Sequence, residues 1–459
     1  MNDKNSQVRN YLLDLLENGN WQPGDKFPGA RQLAHELGVS FLITQQAVNG
    51  LVQDGVLVSV PRRGVYVRKL WKARRILNHF VPFSTKLPYQ NDLAALMGSE
   101  LPELRCCTKF HTGVFEIRPT LSVQCNRNSY LDLSPFFQDS DGLYFSRPFS
   151  GFRDEKGRLF GIPFLWSPRI MLCRMEVLKK YGIGKIPENW SFDDFVQMVS
   201  TLRQHISAEK ICNYSDVMSF YMNMISGAGG AIIERHKNGK FEVKLDSSKT
   251  LQGIEALRKL RCALDVGQKA VALSLHDKDD MAFLIADREC VCTLKNKEQW
   301  QAFKLPSISR NSHKIFQSTE LICVRRECTD LLLAEKFVKF MLGEKVQNMI
   351  ADTRYGIPIL RSAADRSLDM SDPTDRLFFE ESQFTTTGNL DARELLSFAY
   401  GGIFEAVTGD EAPEKVLRSY ADSMRLICSM RENQNFRRAV HLYERDAAAF
   451  NLEAIAYDM

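Results

Sequence analysis

Residues 23–67 read PGDKFPGARQLAHELGVSFLITQQAVNGLVQDGVLVSVPRRGVYV, and this stretch decides the fold of the N-terminal part of the chain. A short helix is predicted over 30–37, because Gly38 follows it in the position where a glycine ends a helix. Ser40 comes next and is the type of residue that caps the start of a helix. Two helices joined by a tight turn are therefore expected at the centre of this stretch.

The flanking segments extend the pattern on both sides. Before it, a first amphipathic helix is predicted from apolar residues at helical spacing, which are Val8, Tyr11, Leu12, Leu15 and Leu16. After it, strands are predicted over 56–60 and 65–67, joined by a turn with two arginines at its tip. Three helices followed by a hairpin are the elements of a winged helix-turn-helix.

The third helix, which follows Ser40, divides into two faces. The face predicted to be buried carries Ala47, Val48, Leu51 and Val52. The face predicted to point outward carries Phe41, Gln45 and Asn49. In helix-turn-helix domains, such an outward face enters the major groove of DNA.

Positive charge is concentrated in the same segment. The formal net charge is +4, but residues 1–75 hold 11 Lys or Arg against 6 Asp or Glu, whereas the remainder holds 49 against 50. A basic N-terminal segment on a nearly neutral body predicts nucleic-acid binding at the N-terminal end.

Motifs within these residues resemble the DNA-binding domain of the GntR family. They are Pro23-Gly24-Asp25-Lys26-Phe27-Pro28, Arg31-Gln32-Leu33-Ala34, Leu37-Gly38-Val39-Ser40 and Asp54-Gly55-Val56-Leu57. The resemblance implies that the third helix reads the major groove and that a homodimer binds inverted repeats in double-stranded DNA. The residues implied to contact DNA are Arg31, Ser40, Phe41, Ile43, Gln45, Arg62, Arg63 and Gly64.

Two departures from the family pattern predict a base preference. Phe41 and Gln45 stand where the family has arginine. A further departure, Arg62 in place of the first glycine of the wing, lies outside the recognition helix. Glutamine suits the N6 and N7 edge of adenine, and Phe41 or Ile43 can pack on a thymine methyl group, so half-sites rich in A·T are expected. The alternative for this domain is a protein-interaction module that no longer binds DNA.

The rest of the chain has the pattern of a separate α/β domain. We predict a winged helix-turn-helix over 1–67, a basic linker over 68–75, and a larger domain over 76–459 with a helical C-terminal part. In the larger domain, helices are predicted at 193–202, 251–264 and 331–342, and strands at 76–81, 159–163, 169–173 and 320–324. This alternation is typical of α/β layers.

Four ordered segments of the larger domain resemble the extracellular solute-binding proteins that serve sugar ABC transporters. They lie at 159–195, 229–247, 281–291 and 334–358. The resemblance implies a periplasmic-binding-protein-like fold, in which two lobes close on a ligand in the cleft between them. The residues implied to contact the ligand are Trp166, Tyr221, Trp300 and Tyr355, whereas Trp190 and Phe220 are expected to pack in the core.

The first lobe departs from this second family. The stretch between residue 76 and the segment 130–137, which resembles the end of the same region in the family, is much shorter than usual. Arg174 also stands where the family has asparagine. A remodelled cleft is therefore expected, and whether the shortened lobe still binds a solute is left open.

Other function classes lack their sequence signals. The N-terminus has no export signal and no run of about 18 apolar residues occurs, so a cytoplasmic protein without a membrane segment is expected. The eleven cysteines lack the spacing of metal ligands and are expected to be reduced and buried. Nucleotide-binding, serine-hydrolase and zinc-protease motifs are absent, so neither an enzyme nor a cofactor is expected.

These patterns together predict a DNA-binding transcription regulator controlled by a small molecule, for which the second resemblance favours a sugar. The alternative is a large domain that binds no solute and serves as a dimerisation or docking body.

Overall fold

The computed structural model describes most of the chain. The described residues are 4–71, 80–82, 89–107, 113–139, 142–149, 151–154, 156–214, 220–236, 241–266, 280–326, 328, 330–387 and 393–431. The predicted linker and the predicted strand over 76–81 lie partly outside them.

The N-terminal domain consists of three helices and a hairpin. They are α1 (Lys4–Glu17), α2 (Ala30–Leu37), α3 (Phe41–Gln53), β1 (Leu57–Val60) and β2 (Gly64–Val67). Gly38 follows α2 with φ 64°, and the Ser40 side chain caps α3. β1 and β2 pair antiparallel. The predicted winged helix-turn-helix is therefore confirmed.

The core of this domain is formed by all of these elements. Its buried residues are Val8, Leu12, Leu13, Leu16, Phe27, Leu33, Ala47, Val48, Leu51, Val56, Leu57, Val67 and Trp71. The buried face predicted for α3 is confirmed, with Val52 partly buried at its edge. Trp71 lies in the segment predicted as a linker but is buried in this core.

The prediction for α1 is wrong at Tyr11, which is 49% exposed. Tyr11 and Leu13 flank Leu12 on opposite sides of the helix, each about 100° away from it. Packing selects Leu13, which is buried in the core. Periodicity could not separate the two, because both positions lie equally far from the centre of the apolar stripe.

The larger domain is an α/β domain with many short strands. The strands are β3 (Phe80–Pro82), β4 (Arg105–Cys107), β5 (Phe115–Pro119), β6 (Ile162–Ser167), β7 (Ile170–Cys173), β8 (Ile233–Arg235), β9 (Phe241–Val243), β10 (Phe283–Ala286), β11 (Gln301–Phe303), β12 (Ile315–Phe316), β13 (Ser318–Val324), β14 (Ile357–Pro358) and β15 (Thr385–Thr386). The helices are α4 (Gln90–Glu100), α5 (Thr120–Cys125), α6 (Met175–Lys180), α7 (Phe192–Arg203), α8 (Met222–Gly227), α9 (Ser248–Leu264), α10 (Arg288–Thr293), α11 (Leu331–Leu342), α12 (Glu344–Thr353), α13 (Arg361–Ser367), α14 (Pro373–Ser382), α15 (Arg393–Thr408) and α16 (Pro413–Arg431).

Two sheets organise the larger domain into two lobes. The sheet of the first lobe has the order β14-β6-β13-β5, and the sheet of the second lobe has the order β10-β7-β11. Within both sheets the paired strands are antiparallel. Residues of β7 alternate between the two cores, with Leu172 in the first and Met171 in the second. The second sheet therefore contacts both cores.

Most predicted elements of this domain are confirmed, with one shift. The helices predicted at 193–202, 251–264 and 331–342 are α7, α9 and α11. The strand predicted at 159–163 starts only at Ile162, because the backbone of Leu159 bonds elsewhere. The amide of Leu159 donates to Asp132 Oδ1 at 3.1 Å, and its carbonyl accepts from the amide of Leu133 at 2.7 Å.

The C-terminal helices α15 and α16 pack on the second lobe. Their apolar residues join its core, among them Leu395, Ala399, Ile403, Leu417 and Met424. Arg258 of α9 donates to the carbonyl of Ala406 at 2.9 Å, which ties α9 to α15. The predicted helical C-terminal part is thus an integral layer of this lobe.

The cysteine prediction holds in part. Of the described cysteines, Cys173, Cys212, Cys290 and Cys323 are buried free thiols. Cys262 is exposed, so the expectation of burial is wrong there. Among the described residues, no helix is both long and apolar enough to cross a membrane.

The crossing of α8 and α9 depends on a glycine, which gives a test of the fold. A Cβ atom on Gly253 would lie 2.7 Å from the Cα atom of Ile225, so Gly253→Ala forces two backbones apart. We expect a loss of about 1–3 kcal/mol in the free energy of unfolding, measured with urea. Gly98→Ala in α4, which has open space around it, is the matched control. Equal stability of the two variants would contradict this packing.

Candidate functional site

The start of α3 is an exposed corner of the N-terminal domain. Ser40 Oγ accepts a hydrogen bond from the amide of Ile43 at 3.3 Å. Phe41, which follows Ser40, is 47% exposed. The guanidinium carbon of Arg31 in α2 lies 5.7 Å from the centroid of the Phe41 ring, within the range of a cation–π contact. The structure thus brings Arg31, Ser40 and Phe41 together.

Further along α3, two polar side chains form a pair. Gln45 Nε2 donates to Asn49 Oδ1 at 3.0 Å, one helical turn away. Asn49 is exposed, and Gln45 is half-buried. Ile43 is also half-buried because it packs against the domain core. Of the two apolar candidates for a thymine contact, Phe41 is therefore the more exposed.

The wing is a tight turn with both arginines exposed. The amide of Arg63 donates to the carbonyl of Val60 at 3.0 Å, and Arg62 has a φ of 64°. Gly64 has a φ of 113°, a conformation that L-residues with a side chain rarely adopt. Lys26 lies against Gly64, because a Cβ atom there would be 3.2 Å from Lys26 Cε. Lys26 is an exposed cation at the base of the wing that was not among the predicted contacts.

Two charged residues of the N-terminal domain act electrostatically on Cys328 of the larger domain. Arg9 of α1 and Asp54 after α3 form an ion pair, in which Arg9 Nε lies 3.0 Å from Asp54 Oδ2. Burial raises the pKa of the Cys328 thiol to about 12, with Asp54 raising it further and Arg9 opposing this. Charges of the DNA-binding domain thus act on a side chain of the first lobe.

Among the described segments that cross between the two lobes, three are short. The first joins β6 to β7 at 167–170, the second joins β10 to α10 at 286–288, and the third joins β12 to β13 at 316–318. Crossings of this kind are where hinge motion between lobes concentrates.

Hydrogen bonds tie the three crossings together. Arg169 is buried, and its Nη1 donates to the carbonyl of Phe316 at 2.7 Å. Its Nη2 lies 3.9 Å from Asp287 Oδ2. Ser167 Oγ accepts a hydrogen bond from the amide of Arg288 at 3.0 Å. We call this set the hinge knot.

Polar side chains cluster next to the hinge knot. The rings of Tyr89 and Tyr355 meet edge to face, with centroids 4.9 Å apart, and both side chains are buried. Burial raises the pKa of Tyr355, and the Glu289 carboxylate raises it further. Burial raises the pKa of Glu320 on β13 to about 8, with added contributions from Glu289 and Asp287. We call Tyr89, Tyr355, Glu289 and Glu320 the tyrosine–glutamate cluster.

The four predicted ligand residues lie in different surroundings. Tyr355 belongs to the cluster, and Trp166 is buried in the core of the first lobe, where its Nε1 has no hydrogen-bond partner among the described residues. Tyr221 is buried in the core of the second lobe. Trp300 is half-buried, with the Arg174 guanidinium 6.0 Å from its ring centroid. The structure places Trp166, Trp300 and Tyr355 at the first core and Tyr221 in the second, so it does not bring all four together.

A cavity of about 1000 Å³ opens on the second lobe, away from these four residues. It lies between the start of α7, one side of α9 and residues 304–313. Trp190, predicted to be a packing residue, lines it and donates from Nε1 to the carbonyl of Lys304 at 2.9 Å. Phe220, the other predicted packing residue, is fully buried.

The sequence held one signal for the cluster that was missed. Glu320 is an acidic residue directly before the apolar run 321–324 in a central strand, where a charged side chain is unfavourable without a function or a partner. Tyr89 had no local signal, because it reaches Tyr355 only through the fold.

Comparison with known proteins follows the same division. Residues 4–67 match the family of bacterial regulatory proteins called gntR. Residues 114–376, more than half of the chain, match the bacterial extracellular solute-binding protein family.

Curated relatives match at the N-terminal end. The probable fructoselysine utilization operon transcriptional repressor of Escherichia coli is 27% identical over 143 residues, which are 30% of this chain and 57% of that protein. The HTH-type transcriptional repressor NagR of Bacillus subtilis is 30% identical over 112 residues, which are 21% of this chain and 46% of that protein. The chain thus spans about half the length of the curated relatives that it matches.

Solved structures share the fold of the larger domain. The GacH receptor of Streptomyces glaucescens, studied with acarbose, has a TM-score of 0.60 at 12% identity and covers 76% of this chain and 98% of its own. The substrate-binding protein Lmo0181 of Listeria monocytogenes, in complex with cycloalternan, has a TM-score of 0.62 with the same identity and coverages. The chain therefore belongs to the bacterial extracellular solute-binding protein family and carries a GntR-family winged helix-turn-helix at its N-terminal end.

Proposed function

We propose that this protein is a cytoplasmic transcription regulator that binds a specific DNA sequence as a homodimer and changes its DNA affinity when a carbohydrate occupies the larger domain. The observation that carries the proposal is the fusion of an exposed recognition corner, formed by Arg31, Ser40 and Phe41, to a two-lobed solute-binding fold. A transport protein does not need a recognition corner for DNA, and a repressor without an effector does not need a solute-binding fold.

The DNA side of the proposal is supported by charge and exposure. Arg31, Arg62 and Arg63 are exposed, and Lys26 adds a cation at the base of the wing. Phosphate contacts by such residues position a winged helix, while the outward side chains of α3 read the bases. Both curated relatives are named transcriptional repressors, which agrees with this role.

The ligand side is supported by the hinge and by the kind of protein that shares the fold. The three crossings and the hinge knot allow two lobes to move about one axis while they remain connected. The solved relatives were studied with acarbose and cycloalternan, which are carbohydrates. A sugar that binds one lobe arrangement better than the other shifts the population of the two arrangements.

Coupling between the two sites is supported by the electrostatic effect of the N-terminal domain on Cys328. The Arg9–Asp54 pair of the N-terminal domain acts on a residue of the first lobe, so a change in that lobe alters the surroundings of α1 and α3. In a dimer, such a change alters the distance between two recognition helices. Operator affinity then changes by the difference in binding free energy between the two states.

The full chain can be tested directly. Sites selected from a random DNA pool should contain an inverted repeat, and sedimentation should show a dimer on them. A panel of mono- and oligosaccharides is then added to the gel-shift assay, and at least one sugar should change operator affinity by about 5–150-fold, the usual range of allosteric coupling. A monomer without sequence preference would refute DNA regulation. If the protein binds DNA sequence-specifically but no sugar changes that binding, the larger domain is better explained as a dimerisation or docking body.

Removing the wing arginines should weaken binding without changing sequence preference. Arg62→Ala combined with Arg63→Ala is expected to lower affinity for all sites and to reduce the salt slope by about two, since two phosphate contacts are lost. Arg310→Ala, which removes an exposed cation on the second lobe, is the control and should leave both quantities unchanged. An unchanged salt slope in the wing variant would show that the wing does not contact DNA.

Changing Gln45 should alter sequence preference or salt dependence. Wild-type half-sites are expected to be rich in A·T, and Gln45→Arg should shift preference toward guanine if the new side chain reaches a base. If it reaches the backbone, the salt slope should instead steepen by about one. Gln252→Arg on the second lobe adds the same charge far from α3 and serves as control. G·C-rich wild-type half-sites, or no change on substitution, would place Gln45 away from DNA.

A further inference from the structure

We propose that the effector carries a protonated amine, which is bound by Glu320 in the tyrosine–glutamate cluster. This inference rests on the proposed function, because it names the chemical class of the effector in the same domain. It is carried by the arrangement of acidic and phenolic groups at the hinge and by a buried hydroxyl that has no partner.

Glu320 stands at an unusual place for a carboxylate. It lies in β13, which is flanked by β5 and β6, and its backbone is paired with Pro119 and Leu165. The side chain is half-buried. In the described part of the chain, no hydrogen bond or ion pair joins the Glu320 carboxyl group to another residue. Carboxyl groups that are shielded from water are nearly always paired. A partner from outside the chain fits this position.

The charges that face Glu320 come from several elements. Glu289 on α10 and Asp287 before it raise the pKa of Glu320, in addition to the larger effect of burial, and Arg118 on β5 lowers it. Arg118 already binds Glu116, with Nε and Nη2 each 3.1 Å from a carboxylate oxygen. Asp287 is engaged as well, since it accepts a hydrogen bond from the amide of Cys290 at 3.0 Å. The environment of Glu320 is thus dominated by negative charge.

Tyr89 supplies the independent sign of a missing ligand. Its side chain is fully buried, and its hydroxyl has no hydrogen-bond partner among the described residues. Burial raises the pKa of Tyr89, and so do the charges of Glu320 and Glu289. A buried hydroxyl is rarely left unpaired, and a hydroxyl or ammonium group of a ligand would satisfy it.

Neighbouring contacts hold the cluster in place. Arg288 is buried, and its Nη1 donates to the carbonyl of Gly356 at 3.0 Å, which fixes the chain directly after Tyr355. Its Nη2 lies 2.9 Å from Asp375 Oδ1, so the guanidinium is paired. α10, which carries Glu289, begins at this same residue. The cluster is therefore attached to the hinge, where binding of a cation can alter the lobe arrangement.

An ammonium group suits this cluster better than a neutral hydroxyl. Two carboxyl groups near each other in a poorly solvated site cannot both ionise readily, and a cation between them removes that penalty. In the free protein Glu320 holds a proton at neutral pH, because burial, Glu289 and Asp287 raise its pKa to about 8. An arriving ammonium group replaces that proton, which is released to solvent.

Two matched pairs of probes test the inference on the full chain. Glucosamine is compared with glucose, and 1-amino-1-deoxysorbitol with sorbitol, by calorimetric titration at pH 6.5. We expect each amine to bind at least tenfold more tightly than its neutral partner. Titrations in two buffers of different ionisation heat should show proton release with the amines. Binding of the ammonium group displaces the proton of Glu320, so a higher pH favours binding. Amine affinity should therefore rise with pH up to about 8, the pKa of Glu320 in the free protein.

A conservative variant separates a binding role from a structural one. Glu320→Gln should reduce the preference for the amine to near parity and abolish proton release, while Glu344→Gln, which removes an exposed carboxylate from α12, should change neither. Equal binding of amine and neutral probes, unaffected by Glu320→Gln, overturns this inference and leaves the proposed function intact. If none of the four probes binds, the inference is also overturned. The proposed function is then tested separately by the sugar panel in the gel-shift assay.

Discussion

The buried guanidinium of Arg169 is the contact on which the larger domain depends. It lies in the crossing from β6 to β7, bonds the carbonyl of Phe316 in another crossing, and approaches Asp287 in the third. A buried guanidinium is unfavourable away from its acceptors, and its Nη1 and Nη2 face partners on the two other crossings, so separating these crossings is penalised. Because β6, β7, β10 and β13 start or end at these crossings, this contact restrains the relative orientation of the two sheets.

A buried charge network gives the first lobe a defined interior. In the first lobe, Glu116 is fully buried and bonds Arg118, Arg325 and the hydroxyl of Tyr130. Burial alone would raise the pKa of Glu116, but Arg325 and Arg118 hold it below its usual value. Such networks add little net stability, yet they penalise any packing that separates their members. A lobe with such an interior moves as a rigid body, so conformational change is concentrated at the hinge.

Local signals in the sequence predicted the N-terminal domain closely, since Gly38 and Ser40 mark helix ends by their own chemistry. The side of α1 that carries Tyr11 could not be assigned, because only packing against α3 distinguishes it from Leu13. The same limit applies to the site. Tyr355 could be proposed from its motif, but Tyr89 and Glu320 reach it through contacts between distant segments, which no spacing in the sequence encodes.

The central claim is that the DNA-binding domain and the two lobes form one coupled unit, and linkage requires that coupling to act in both directions. Hydrogen exchange of the full chain, with and without a DNA site selected from a random pool, tests this without a known effector. The account predicts that DNA alters exchange in the N-terminal domain and also in peptides that contain the crossings 167–170, 286–288 and 316–318. Changes confined to residues 4–71, with all three crossings unaffected, would contradict it.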